Sequence, residues 1–214
     1  TYSKNYKIKT IFFGGGTPSV LDTNLINEIL LKLKSCFNVD NNVEITLEAN
    51  PGTLNYDKLI ELKSLGINRL SIGVQSFDDG DLTYLTRIHN SQDADNIINW
   101  AHNAGFENIS LDLIFNLPKQ TKEKWIKNLD RATSLPIKHI SCYSLIVEKG
   151  TILYKQVLDG KVKINDEDYD AELYEITIDY LKDKGFEQYE VSNFAKEGFQ
   201  SIHNKFYWEY KDYL

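Results

Sequence analysis

The sequence contains no methionine among its 214 residues, not even at position 1, and therefore reads as a piece of a longer chain. Cysteine is nearly absent. Cys36 and Cys142 stand too far apart for a zinc or iron–sulfur ligand run, and two thiols make no disulfide framework, so both read as ordinary buried thiols. Basic residues are outnumbered, 24 Lys and Arg against 31 Asp and Glu, for a net charge of −7. No basic cluster interrupts that background, so nucleic-acid binding and attraction to anionic lipid get no support. No apolar run approaches the ~18 residues of a membrane span, and no charged-then-apolar leader opens the chain. The expectation is a cytoplasmic protein whose partners are small molecules or other proteins. What is present suits folding: 42% hydrophobic and 26% charged residues, 12 glycines and 4 prolines fit one large or two small globular domains.

The stretch Thr10 to Ser19 organises the rest. Ile11-Phe12-Phe13 runs straight into Gly14, Gly15 and Gly16, and Leu21 to Phe37 follows with helical spacing, giving strand, glycine turn, helix. Glycine admits positive φ and leaves no Cβ in the way, so a ligand can reach the main-chain N–H and C=O groups of such a turn. Neither G-x-G-x-x-G nor a Lys-Ser/Thr ending is present, and the triplet alone is equally compatible with a plain flexible turn.

Strand and helix patterns alternate from there on. Val43 to Leu47 alternates as a strand, Leu59, Leu62 and Leu65 mark a helix, and Asn68 to Gln75 is a strand. A short helical segment lies between Asp78 and His89, and Ser91 is the expected N-cap of a helix carrying Ile97, Ile98, Ala101 and Ala104. Asn108 to Phe115 is a strand, Thr121 begins a helix bearing Trp125, Leu129 and Ala132, and His139 to Leu145 is a fifth strand. Asp166 to Lys184 is a further helix, and Tyr189 to Ser192 a last strand-like run. The helix stops Gly66-Ile67, Gly105-Phe106 and Gly185-Phe186 recur at multiples of about 40 residues, the size of one strand-loop-helix unit. Such repetition builds a parallel sheet with right-handed crossovers, either a (β/α) barrel, complete or partial, or an open doubly wound sheet. The barrel is the expectation, with functional groups at the C-terminal strand ends.

Those ends carry Gly14 to Thr17, Glu48 with Asn50, Gln75 with Ser76, Asp112 further inside its strand, and Tyr143 to Glu148. Apart from Tyr143 and the glycines, these side chains fill a core poorly and fix a polar ligand well. Two carboxylates and an amide at one mouth suit ribose hydroxyls, an amino group or a cationic centre. No histidine stands there as a general base, which favours a bound cofactor that supplies the chemistry over hydrolysis. Singly, each residue is better explained as a loop cap or a satisfied buried group. Five strand ends agree.

Ile11-Phe-Phe-Gly-Gly-Gly-Thr-Pro-Ser19, Leu47-Glu-Ala-Asn-Pro-Gly52, Gly66-Ile-Asn-Arg-Leu-Ser-Ile-Gly-Val-Gln-Ser-Phe77, Leu111-Asp-Leu-Ile-Phe-Asn-Leu-Pro118 and Tyr143-Ser-Leu together resemble the radical S-adenosylmethionine proteins related to oxygen-independent coproporphyrinogen III oxidase. The resemblance covers essentially the whole chain, with the blocks in the family's order. It implies an α/β fold: a partial (β/α) barrel in residues 1–150, lacking its first strand and cluster loop, followed by an incomplete C-terminal α+β extension in 151–214. It further implies that Gly15, Gly16 and Thr17 contact the methionine part of S-adenosylmethionine, and that Glu48, Gln75, Arg87 and Asp112 contact one or a second bound S-adenosylmethionine. Tyr189-Glu-Val-Ser-Asn-Phe-Ala195 and His203-Asn-Lys-Phe-Tyr-Trp208 look like the HemW-type branch, whose H-N-x-x-Y-W motif is linked to haem binding. Imidazole can take an axial iron position and aromatic rings can pack on the macrocycle, which makes His203 the implied haem residue.

One departure matters. The family holds a [4Fe–4S] cluster on a C-x-x-x-C-x-x-C segment upstream of the glycine turn, and no cysteine precedes Cys36 here. The cluster is therefore expected in the full-length parent only; in this chain no metal ligand and no catalytic residue is assigned, and no radical chemistry is expected of it. The leading expectation is a haem-binding chaperone that passes haem to an unknown acceptor protein. The alternatives are an oxidase that decarboxylates the propionates of coproporphyrinogen III in porphyrin biosynthesis, and an ordinary barrel enzyme with a nucleotide-like ligand.

Overall fold

A computed structural model describes residues 7–213, so the reading of Thr1 to Tyr6 as a lead into the first strand lies outside the described residues. The elements alternate as β1 (Lys7–Phe13), α1 (Thr23–Cys36), β2 (Asn38–Ala49), α2 (Tyr56–Ser64), β3 (Arg69–Gln75), α3 (Asp79–Tyr84), α4 (Ser91–Asn103), β4 (Asn108–Phe115), α5 (Lys122–Ser134) and β5 (His139–Ser144). The chain continues through α6 (Ile152–Leu158), α7 (Glu167–Asp183), β6 (Glu187–Gln188), β7 (Asn193–Ala195) and α8 (Ile202–Trp208). One seven-stranded sheet has the order β1-β2-β3-β4-β5-β7-β6, parallel through β5 and antiparallel at its last two strands, and it curls into a partial barrel.

Alternation within the strands gives the curled sheet two unlike faces. On one face stand Ile45, Leu47, Leu70, Ile72, Val74, Ile109, Leu111, Leu113 and Ile140, all buried in one hydrophobic core with Ile26, Leu30, Leu59, Leu62, Ile97, Ile98, Trp125 and Leu129 from the helices. Trp125 is locked there by its indole N–H, which donates to Thr177 Oγ1 at 2.8 Å and ties α5 to α7. The residues between them are polar and face the lumen, a layer arrangement set by the strand register. Thr46 pairs with Arg69 and Arg69 with Asn108; one step higher Glu48, Ser71, Ser110 and His139 are in register; above them Gly73, Asp112 and Ser141.

Several expectations are corrected in detail. Asn90, not Ser91, caps α4: its side chain accepts from Asp93 N while the Asp93 carboxylate accepts from Asn90 N, a reciprocal capping box. The run Tyr189 to Ser192 is not a strand but the connection between β6 and β7, held by the Glu190 carboxylate on Ser192 N. β2 begins earlier than the alternating run at Val43. Cys36 is exposed at the end of α1 rather than buried, because the core packing of that helix ends at Leu33, whereas Cys142 is buried as expected. The glycine stops behave as read: Gly66, Gly105 and Gly185 have φ of 100°, 89° and 78°.

Candidate functional site

The upper end of the barrel gathers the strand-end residues around a continuous set of hydrogen bonds. The glycine turn after β1 has φ of 83° at Gly15 and 57° at Gly16, and a Cβ at either would meet nothing within 4 Å. Its main chain is therefore open to a ligand, and Gly15 N–H donates to Glu48 Oε2 at 3.0 Å. Asn50 is the hub. Its Nδ2 donates to Thr17 Oγ1 at 3.1 Å, and its Oδ1 accepts from the Arg87 guanidinium at 2.5 Å. The same guanidinium nitrogen lies 3.3 Å from Gly73 O. Burial lowers the Arg87 pKa from its ordinary value, so its charge is held in a partly desolvated place.

Gln75 closes this set through backbone strain. Its φ is 69°, and Ser76 N–H donates to Val74 O at 2.9 Å across it, a three-residue turn of the costly positive-φ kind. The turn swings the Gln75 amide back over Gly73. A Cβ at Gly73 would stand 2.8 Å from Gln75 Nε2 and 2.9 Å from Asn50 Oδ1, so only glycine leaves both side chains in place. Strain of this sort at a strand end marks a site that the surrounding contacts over-determine.

Below the mouth lies a cavity of about 150 Å³, lined by Glu48, Ser71, Asp112, Thr46, Arg69 and His139 among others. Burial pushes the Asp112 carboxyl up to about 6, against the pull of hydroxyls from Ser141 and Ser71, and the Glu48 charge pushes the same way. His139 is held neutral, its pKa well below the ordinary value because of burial and the Arg69 charge. Thr46 Oγ1 is buried without a partner. Such an orphaned hydroxyl on a polar cavity is suited to a bound polar group or water.

His203 is not brought to the mouth. It sits lower in the barrel, where Thr10 pairs with Glu44 in the sheet, against Phe12, which lines the cavity below the mouth together with Ser201 and Asn204. There α8 is seated on the barrel floor. Glu44 accepts from Ile202 N at 3.1 Å and His203 N at 3.0 Å, and Arg69 donates to Asn108 Oδ1 at 2.7 Å and to Phe199 O at 3.4 Å. Tyr189 Oη meets His139 Nε2 at 2.7 Å and accepts from Ser201 N at 3.2 Å. The imidazole of His203 stacks on Phe12, with centroids 4.8 Å apart, and places Nδ1 2.9 Å from Thr10 Oγ1. Its pKa is lowered by burial, partly opposed by the Glu44 charge, which favours the neutral ring. Among the described residues Nε2 makes no hydrogen bond, and Tyr207, Trp208, Tyr210 and Tyr213 leave aromatic surface exposed nearby.

Residues 1–132 match the Radical SAM superfamily. The chain belongs to that superfamily. Radical SAM proteins use S-adenosylmethionine with a [4Fe–4S] cluster. It is 41% identical over 208 residues to the heme chaperone HemW of Bacillus subtilis, covering 97% of this chain and 55% of that protein. It is 38% identical over 208 residues to mouse "Radical S-adenosyl methionine domain-containing protein 1, mitochondrial", with 97% and 47% covered. Among solved structures it is similar to the coproporphyrinogen III oxidase HemN of Escherichia coli, described as a radical SAM enzyme, at 25% identity and a TM-score of 0.77, covering 95% of this chain and 46% of that one. The chain thus spans about half the length of the curated relatives it matches. Its open glycine turn and polar mouth fit a polar, cationic ligand of the S-adenosylmethionine kind. For the cluster the described residues offer no group of three or more His, Cys, Asp or Glu side chains placed to hold a metal.

The mouth residues are legible from their strand ends, although in the sequence Asn50 stands out only as a neighbour of Glu48. The lower lumen was missed. Its signal is the spacing Arg69-x-Ser71, Asn108-x-Ser110-x-Asp112 and His139-x-Ser141, polar residues alternating with apolar ones in strands of a parallel sheet, where both faces are ordinarily apolar.

Proposed function

We propose that this chain is the barrel portion of a haem-binding chaperone of the radical SAM superfamily, one that carries haem as cargo to an acceptor protein. The observation that carries the reading is His203: an imidazole at the head of an H-N-x-x-Y-W segment, with Nδ1 engaged and Nε2 without a hydrogen bond among the described residues, beside exposed aromatic rings. The 41% identity to a heme chaperone supports it. In this reading Gly15, Gly16 and Thr17 hold the methionine part of S-adenosylmethionine, with Glu48, Gln75, Arg87 and Asp112 around one or two such molecules. The cluster belongs to the upstream part of the parent chain, residues 1–150 form the partial barrel, 151–214 open the C-terminal extension, and the protein acts in the cytoplasm.

When bound, S-adenosylmethionine with a reduced cluster supplies radical chemistry. The chain's own contribution is placement: the glycine turn offers main-chain groups, Arg87 and Asn50 fix the mouth, and the lumen's neutral-prone Asp112 can donate or accept a proton near pH 6.

A second reading, coproporphyrinogen III oxidase, is favoured by the structural likeness to HemN. Offering the full-length parent protein ferric haem and, separately, coproporphyrinogen III distinguishes them. Saturable haem binding without decarboxylation of coproporphyrinogen is the result expected of the chaperone; turnover of the porphyrinogen with no haem affinity would reverse the assignment.

A further inference from the structure

The ring of His203 and the backbone beneath it are held by different residues. Glu44 takes the N–H groups of Ile202 and His203, and the Ser201 hydroxyl caps Asn204 N at 3.2 Å, so the start of α8 is pinned to the barrel by its main chain. That leaves the imidazole free to turn about its side-chain bonds unless something stops it. On the same lumen face of β1, two positions apart, Thr10 and Phe12 do so. Phe12 stacks under the ring at an interplanar angle of 21°, which fixes the plane, and Tyr207 meets it edge-on with centroids 5.3 Å apart. Stacking is indifferent to a half-turn of the ring, which exchanges Nδ1 with Cδ2 and Nε2 with Cε1. The Thr10 hydroxyl, 2.9 Å from Nδ1, is the contact that distinguishes the two orientations, since the flipped ring would turn a C–H toward it.

We infer that Thr10 is the positioning residue for the haem ligand, fixing His203 Nδ1 so that Nε2 is the nitrogen presented to iron; the inference rests on the haem reading of His203 given above. An imidazole that ligates a metal through one nitrogen commonly donates from the other to a fixed partner, which sets both tautomer and orientation. The carboxylate nearest in the fold, Glu44, is occupied by the two amides of α8, and the threonine hydroxyl takes the role instead. Accepting from Nδ1–H leaves Nε2 with its lone pair. The arrangement also places both ends of the molecule on one strand: β1 carries Thr10 and Phe12 below and leads into the glycine turn above.

The test is a titration with ferric haem, read by Soret absorbance and by electron paramagnetic resonance of the complex, on the unmodified chain, Thr10→Val, Thr10→Ser and His203→Ala. Valine keeps the shape and β-branching of threonine and removes only the hydroxyl. Thr10→Val is expected to weaken binding ~10- to 100-fold, the usual effect of losing such a partner, and to replace a single low-symmetry signal by several as the ring takes more than one orientation. Thr10→Ser is expected to restore both affinity and signal. If Thr10→Val binds haem with unchanged affinity and spectrum while His203→Ala does not bind, the positioning role is wrong and the haem site stands. If His203→Ala binds as the unmodified chain does, the haem reading fails and the inference with it. Should the valine variant prove unfolded by circular dichroism, Thr10→Ala is read against the same two outcomes.

Discussion

Gly73→Ala separates folding from ligand binding at the barrel mouth. The glycine does not have positive φ, so alanine imposes no backbone strain, and replacing a strand glycine lowers the entropy lost on folding by about 0.5–1 kcal/mol. The new Cβ, however, would stand 2.8 Å from Gln75 Nε2 and 2.9 Å from Asn50 Oδ1, with the Arg87 guanidinium 3.6 Å away. Ordinary contact begins near 3.4 Å, so both amides must retreat by several tenths of an ångström. They are the ends of flexible side chains, and moving each off its rotamer costs about 0.5–1.5 kcal/mol. Stability is therefore expected to fall by no more than about 2 kcal/mol in urea denaturation. Affinity for S-adenosylmethionine is not so forgiving: losing one hydrogen bond to a charged ligand costs about 1.5–3 kcal/mol, or ~10- to 100-fold in Kd. Equilibrium dialysis with the full-length parent and its Gly73→Ala variant measures this. An unchanged Kd would refute the claim that Gln75, Asn50 and Arg87 converge on the ligand; a large loss of stability would refute the claim that only side-chain ends are displaced.

Two other outcomes follow from the lumen and floor. Asp112 titrates near 6 in the folded protein against 3.8 when free, so the folded state binds its proton more tightly and stability from this group falls as pH rises from about 4 to 6. Asp112→Asn is expected to stabilise the fold by about 2–3 kcal/mol at pH 7, with the gain shrinking toward zero below pH 4; a gain independent of pH in denaturation curves would contradict the assignment. Tyr189→Phe leaves His139 Nε2 and Ser201 N without their shared partner. It is expected to cost about 1–3 kcal/mol in stability and to weaken haem binding by loosening α8, and haem affinity equal to that of the unmodified chain would show that the floor network does not support the site.

How much of this was visible in the sequence depended on whether the determining contact was local. The parallel strands and their helices were legible because Leu59, Leu62 and Leu65 repeat at helical spacing and Gly66, Gly105 and Gly185 stop each helix by positive φ. Thr17, Glu48, Gln75 and Asp112 were legible because polar side chains at strand ends serve a core badly, and Gly14 to Gly16 because a glycine run after a strand reads as a turn. Arg87 came only through resemblance, since nothing in Leu85-Thr-Arg-Ile-His89 separates it from a surface arginine; its role depends on Asn50, 37 positions earlier. The seat of α8 was beyond local reading. A seven-residue helix has too few turns for a periodic signal, and its partners Thr10 and Glu44 lie 193 and 159 positions away from His203. The mistaken strand at Tyr189 to Ser192 has the same origin: β-prone residues in a turn that is closed by Tyr189 N on Asn193 O and the Glu190 carboxylate on Ser192 N, with only Ser192 O of their main chain reaching the neighbouring strand, at Cys142 N.

The most direct test of a haem site on the barrel floor, separate from the Gly73 mouth contacts, is a Soret titration on the unmodified chain, on His203→Ala and on Gly73→Ala, each confirmed folded by circular dichroism. Saturable binding that is lost in His203→Ala and unchanged in Gly73→Ala is the predicted result. Binding that survives in His203→Ala, or that is lost equally in Gly73→Ala, would contradict the account.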